Sequence, residues 1–153
     1  MTSAIVLGST GEVGKHTLLA ALASPAFAHV HSFGRSPPKN VNPDTPGHDK
    51  LVHTALDFDK VCAGDAAEAA KLGAVGAAAV LIALGTTRAS AGSAEAFTRI
   101  DKEYVLAAAK AARVEGTEQA VVYCSVSGVG QPHTPRLIAG GLAKANLSSS
   151  AYP

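Results

Sequence analysis

The chain has no tryptophan, one methionine, two cysteines and only 5% aromatic residues in its 153. Cys62 and Cys124 are too few and too far apart for a disulfide framework, so both are expected as buried, reduced thiols in a reducing compartment. Charge is scarce as well. Only 16% of residues are Asp, Glu, Lys or Arg, and the formal net charge is +1. No run of Lys or Arg occurs, which removes the electrostatic footprint that nucleic-acid binding requires. The longest apolar stretch, Ala74 to Leu84, is too short to cross a bilayer, so any membrane association is expected to be peripheral. With an apolar run starting near residue 4, no cleavable presequence is expected. The six histidines (His16, His29, His31, His48, His53 and His133) show no metal-ligand spacing with cysteines or acids, and no metal site is expected.

What the chain does have is aliphatic residues and glycine. At 47% hydrophobic it can bury one core of single-domain size. Apolar, β-prone runs fall near Ala4–Leu7, Val30–Phe33, Leu51–Leu56, Ala77–Leu84 and Ala120–Cys124. Helical patterns fall near Val13–Ala23, Asp65–Leu72 and Ala94–Arg113, the last with Ser93 as N-cap and with Phe97, Ile100, Tyr104 and Ala108 or Ala111 at helical spacing. Near-continuous apolar strands alternating with helices predict an α/β domain with a doubly wound parallel sheet of about five strands, Rossmann-like, with ligands at the carboxyl ends of the strands. Segment Ser36–Asp49 is dense in Pro, Asn and Gly and is expected to be a surface loop without structure of its own.

The sharpest local signal is Ala4-Ile5-Val6-Leu7-Gly8-Ser9-Thr10-Gly11-Glu12-Val13-Gly14. A strand flows into three glycines spaced three apart and then into a helix, as a dinucleotide-binding chain begins. Gly8 permits the tight turn, Gly11 removes a Cβ from the path of a pyrophosphate, and Gly14 lets the helix pack on the strand. Ser9, Thr10 and Val13 complete the predicted cradle, with the helix N-terminus facing the phosphates. A Gly-rich turn that merely joins strand to helix is the alternative.

After the second strand comes Gly34-Arg35-Ser36, where NAD-specific chains carry an acid for the ribose 2′-hydroxyl. Arg35, helped by Ser36 or Lys39, would pair with a 2′-phosphate, so NADP(H) is expected, with NAD second. The alternative is a solvated loop arginine. Asp57, closing the third strand, reads equally as a contact to the adenine edge and as a cap of the following turn. After the fourth strand, Gly85 lets backbone approach a cofactor, and Thr86 and Thr87 offer hydroxyls, unless they serve only the turn.

Leu7-Gly8-Ser9-Thr10-Gly11, Ala83-Leu84-Gly85-Thr86-Thr87-Arg88 with Ala91-Gly92-Ser93, and Ile100-Asp101-Lys102-Glu103-Tyr104-Val105 resemble the atypical short-chain dehydrogenases related to the HIV Tat-interacting protein, in particular their fungal mitochondrial outer-membrane homologues. The match covers most of residues 4 to 127. The resemblance implies an oxidoreductase acting on an unidentified carbonyl or alcohol substrate, attached peripherally to the mitochondrial outer membrane, with the cytoplasm as the alternative. It also implies a catalytic serine, Ser125 or Ser127, and a catalytic tyrosine, Tyr152. The lysine expected four residues after that tyrosine falls beyond Pro153. Its lack points to a second reading, a regulatory or scaffold protein that senses dinucleotide without turnover. Asp101 recurs in the family pattern but reads as a structural contact. Residues 1–127 are therefore expected to form the NAD(P)-binding domain, and 128–153 an irregular insert with a truncated substrate-side segment. A fifth strand at the sheet edge predicts association into homo-oligomers.

Overall fold

Five short parallel strands pair side by side in the computed structural model, which describes residues 2–86 and 88–123. In chain order the elements are β1 (Ser3–Leu7), α1 (Glu12–Ala23), β2 (His29–Gly34), a 3₁₀ turn (His48–Lys50), β3 (Leu51–Ala55), α2 (Phe58–Cys62), α3 (Ala66–Gly73), β4 (Ala79–Ile82), α4 (Arg88–Ala91), α5 (Ala94–Thr98), a π-helical stretch (Arg99–Tyr104), α6 (Val105–Ala111) and β5 (Ala120–Tyr123). The strand order is β3-β2-β1-β4-β5. The chain winds outward from β1 in one direction and then, from β4, in the other, which puts a topological switch point between β1 and β4. This is the doubly wound sheet that the alternation of apolar runs and helices predicts.

β1 is the centre of the sheet, and Ala4, Ile5, Val6 and Leu7 are all wholly buried. A strand covered on both faces must be apolar at every position, which accounts for the continuous run in the sequence. On one face Val6 and Val30 pack against Leu18, Ala21 and Leu22 of α1. On the other, Ile5, Leu7, Phe33, Val80 and Ile82 meet side chains of α2, α3 and α6, among them Phe58, Leu72, Val105 and Ala108. Burying a leucine contributes about 1.5–3 kcal/mol. Leu18 and Leu22 therefore hold α1 in place although its N-cap, Gly11, offers no side-chain hydrogen bond.

Three expectations need correction. The helix expected over Ala94–Arg113 starts where Ser93 caps it, accepting from the Ala96 N–H at 3.0 Å, but Arg99–Tyr104 is π-helical and α6 ends at Ala111. The wider turn is matched by side-chain contacts to the loop after β4 and to α2, described below, which periodicity alone cannot register. Segment Ser36–Asp49 is not structureless: Asn42 and Thr45 close a turn, Val41 packs on the α1 core, and the 3₁₀ turn begins at His48. Lys50 Nζ then donates to the carbonyls of Leu22 and Ser24 at 3.1 and 3.0 Å, satisfying orphan acceptors at the end of α1. Finally, Cys62 is half-buried rather than enclosed, though burial still pushes its thiol up from the ordinary value. Cys124 lies outside the described residues.

Among the described residues β3 and β5 are the sheet edges, with Val52 and Val122 exposed on them. No helix among the described residues is long and apolar enough to cross a membrane.

Candidate functional site

A cleft of about 1160 Å³ opens at the carboxyl ends of β1, β2, β3 and β4, over the switch point. The loop after β1 forms its floor with Gly8, Ser9, Thr10 and Gly11. Gly8 has φ +82°, and a Cβ there would lie 2.4 Å from the Ala83 carbonyl oxygen, so the turn both needs a left-handed residue and touches the end of β4. A Cβ on Gly14 would sit 1.8 Å from the Gly8 carbonyl, which makes that glycine the seat of α1 on the loop. Gly11 is different. A Cβ there would find its nearest neighbour at 3.5 Å, an ordinary contact, so nothing inside the described protein demands glycine at that point of the floor.

Ser9 lines the cleft, with its side chain tied to the sheet. It is buried, and its hydroxyl shares a 2.7 Å hydrogen bond with Ser32 on β2, which fastens the loop to the sheet and leaves the loop backbone to line the floor. Val13 and Gly14 lie behind the floor rather than on it. Lys15, unnoticed in the sequence, does line the cleft and pairs with Glu12 at 2.7 Å.

Arg35, Ser36 and Lys39 form one rim, beyond β2, with no carboxylate between Gly34 and Lys39. Asn40 links this rim to α1 by donating to the Lys15 carbonyl at 3.4 Å. Asp57 caps α2: its carboxylate accepts from the N–H groups of Asp59 and Lys60 at 3.0 and 3.2 Å, while the residue also lines the cleft. Next to it Glu68 accepts from the Asp57 N–H, and Lys71 bridges Glu68 and the Ala55 carbonyl. The bond from Lys71 holds the Glu68 carboxyl below its ordinary value.

The opposite rim is built from Gly85 and Thr86 after β4, with Ile100 and Tyr104 from the π-helical stretch. Thr86 N–H donates to Asp101 Oδ1 at 2.7 Å. The Tyr104 ring stacks on Phe58 at 5.5 Å between centroids, and its hydroxyl donates to Asp59 at 2.8 Å, where Arg99 forms an ion pair with the same oxygen. Burial, then the Asp59 carboxylate, pushes the Tyr104 phenol up. Helical spacing marks Tyr104 as a core position. Its polar partner is 45 residues away in sequence and left no local signal. Ser125, Ser127 and Tyr152, expected as catalytic, and Thr87, expected at the loop after β4, lie outside the described residues.

A parallel sheet with this strand order, and a glycine loop at its switch point, defines the class as a doubly wound, Rossmann-like α/β domain. The fold is shared with a solved NADH-dependent reductase, A1-R′, complexed with NAD (TM-score 0.54, 16% identity, 80% of this chain and 58% of that one). It is also shared with a short-chain dehydrogenase/reductase from Veillonella parvula (TM-score 0.50, 15% identity, 83% and 48%). No protein-family model matches the chain. In sequence it is similar to the protein FMP52, mitochondrial, of Candida albicans, 34% identical over 124 residues, which are 81% of this chain and 51% of that protein. The corresponding protein of Emericella nidulans is 33% identical over 130 residues, 85% of this chain and 52% of that protein. The protein HTATIP2 of Rattus norvegicus is 32% identical over 114 residues, 74% and 43%. Over the matched residues the chain is similar to the atypical short-chain dehydrogenase/reductases related to HTATIP2. It spans about half the length of the curated relatives it matches.

Proposed function

We propose that this chain binds NADP(H) in the cleft and forms the cofactor half of an oxidoreductase acting on a carbonyl or alcohol. The observation that carries the reading is the convergence of three features on one cleft. Its floor has a glycine, Gly11, that the protein's own packing does not require. The first turn of α1 there has no side-chain cap, so its N–H groups and positive dipole end remain for an anion. The β2 rim offers Arg35 with Lys39 and no acid, which suits a 2′-phosphate and disfavours a bare 2′-hydroxyl.

In this reading the backbone of Gly8, Ser9, Thr10 and Gly11 holds the pyrophosphate, and Val13 and Gly14 act from behind by keeping α1 seated. Arg35 takes the 2′-phosphate, Asp57 and its capped turn meet the adenine, and Gly85 with Thr86 meet the nicotinamide side. A bound nicotinamide would supply the hydride chemistry. Ser125 or Ser127 orients the carbonyl and Tyr152 moves the proton, roles that follow from family resemblance. Residues 1–127 are the cofactor domain and 128–153 the substrate side. The mitochondrial names of the relatives support a mitochondrial location, for which we propose peripheral attachment at the outer membrane, released by alkaline carbonate. Association through an exposed sheet edge would make the protein a homo-oligomer.

The test is a parallel titration of the purified chain with NADPH and NADH, followed by nicotinamide fluorescence. NADPH should bind more tightly than NADH. Binding of neither overturns the reading, and equal binding of both overturns the assignment of Arg35. Saturable binding without turnover of any carbonyl would favour a dinucleotide-responsive regulator over an enzyme.

A further inference from the structure

Among the described residues, Asp101 is the acid whose carboxylate accepts from the backbone of the loop after β4. It sits in the π-helical stretch, half-buried, and its Oδ1 accepts the Thr86 N–H at 2.7 Å. The same oxygen lies 3.6 Å from where a Cβ on Gly85 would stand. No salt bridge neutralises it among the described residues, so the carboxylate spends its charge on a backbone N–H, the stronger kind of hydrogen bond. The next inward fastening of this strand end is the Ala83 N–H to the Leu7 carbonyl at 2.9 Å, and the Ala83 carbonyl abuts Gly8. Asp101 thus fixes the outer end of a loop whose inner end touches the glycine floor.

We infer that Asp101 is a positioning residue for the nicotinamide half of the cofactor: it holds Gly85 and Thr86 in the conformation that meets that half and touches no ligand itself. The inference rests on the NADP(H) reading above. Asp101 does not line the cleft, whereas Gly85, Thr86 and its helical neighbour Ile100 do, which separates positioning from contact. The π-helical turn gives the contact its setting, since the helix leaves α geometry over the residues, Arg99 to Tyr104, that reach the loop and α2. Burial, and then the charge of Asp101, push the Tyr123 phenol on β5 up, so the carboxylate is also felt on the strand beyond β4.

The test compares two ligands on the same 153-residue chain. NADPH spans both halves of the cleft, whereas adenosine 2′,5′-bisphosphate carries the adenine, ribose and 2′-phosphate but no nicotinamide. Asp101→Ala should weaken NADPH by about tenfold, the scale of one charge-assisted hydrogen bond, and leave the bisphosphate within about twofold. Asp101→Asn, which keeps an acceptor oxygen, should recover most of the NADPH affinity. Amide hydrogen exchange should show Thr86 protected in the unaltered chain and in Asp101→Asn, and unprotected in Asp101→Ala. Equal losses for both ligands, or an unaltered NADPH affinity, would overturn the inference, as would an unprotected Thr86 amide in the unaltered chain. Binding of neither ligand by the unaltered chain overturns the functional reading and this inference with it, whereas equal losses in Asp101→Ala overturn this inference alone.

Discussion

On one side of the cleft the wall is main chain, and on the other it is side chain. The floor at Gly8, with Gly14 behind it, is fixed by atoms that are missing: a methyl group at Gly14 would stand 1.8 Å from a carbonyl oxygen, and one at Gly8 2.4 Å from another. The wall formed by α2, α3 and the π-helical stretch is held by polar pairs, Glu68 with Lys71, Tyr104 and Arg99 with Asp59, and Asp101 with Thr86. The first kind of wall admits almost no substitution, because neighbouring backbone cannot retreat. The second tolerates the loss of any single pair, because each partner is partly solvated and surface pairs contribute little. Difference in material therefore predicts difference in sensitivity.

The largest effect should come from the floor. Gly14→Ala is expected to lower unfolding free energy by about 3 kcal/mol or more, the upper range of overpacking, and to abolish NADPH binding. A urea titration checks it. A loss below about 1 kcal/mol would mean that α1 can shift off the loop, and the contrast between the walls would fail. Arg35→Ala, on the rim, should leave stability unchanged and weaken NADPH by about tenfold to a hundredfold with little effect on NADH, the range of a hydrogen bond between charged groups. Equal effects on both nucleotides would remove Arg35 from 2′-phosphate recognition.

On the side-chain wall the effects should be smaller. Tyr104→Phe keeps the stack on Phe58 and deletes the bond to Asp59, so about 0.5–1.5 kcal/mol should be lost in thermal or urea unfolding. The smallest change is one of pH dependence. Glu68 has a folded-state pKa below its ordinary 4.5, so its contribution is present above that value and is lost as pH falls through the lower, folded one. Glu68→Gln should flatten this acid limb of the stability curve while leaving neutral pH nearly unaffected, which chemical unfolding at a series of pH values below 5 would reveal. An unchanged limb would detach the Lys71 pair from stability.

The same contrast explains how much could be read in advance. All five strands and their parallel arrangement are legible, because β1 to β5 are fixed by local apolar runs and by the helices between them. The floor is legible for the same reason, since Gly8, Gly11 and Gly14 act within one short stretch of chain. The side-chain wall is not. Asp57 was open between cap and ligand contact, and only the N–H groups of Asp59 and Lys60 show that it caps α2. Tyr104 and Asp101 sit at helical spacing, and their partners, Asp59 and Thr86, come from other elements. The π-helical turn is a single local widening within a helix, held by contacts to other elements, so the spacing of Phe97, Ile100 and Tyr104 does not mark it. The inward turn of the Ser9 hydroxyl to Ser32 was likewise not legible, since its partner lies 23 residues away on β2.

The position of β1 has a consequence for synthesis. It pairs with β2 from His29 onward, but its other side is closed only when Ala79 to Ile82 arrive. At translation rates of about 5–20 residues per second, Ile5, Val6 and Leu7 wait on the order of several seconds with one row of backbone donors and acceptors unmet. A nascent chain of this design is most vulnerable to aggregation before β4 leaves the ribosome, and a chaperone that masks short aliphatic strands would find its binding site in the segment that ends as the best-buried part of the protein.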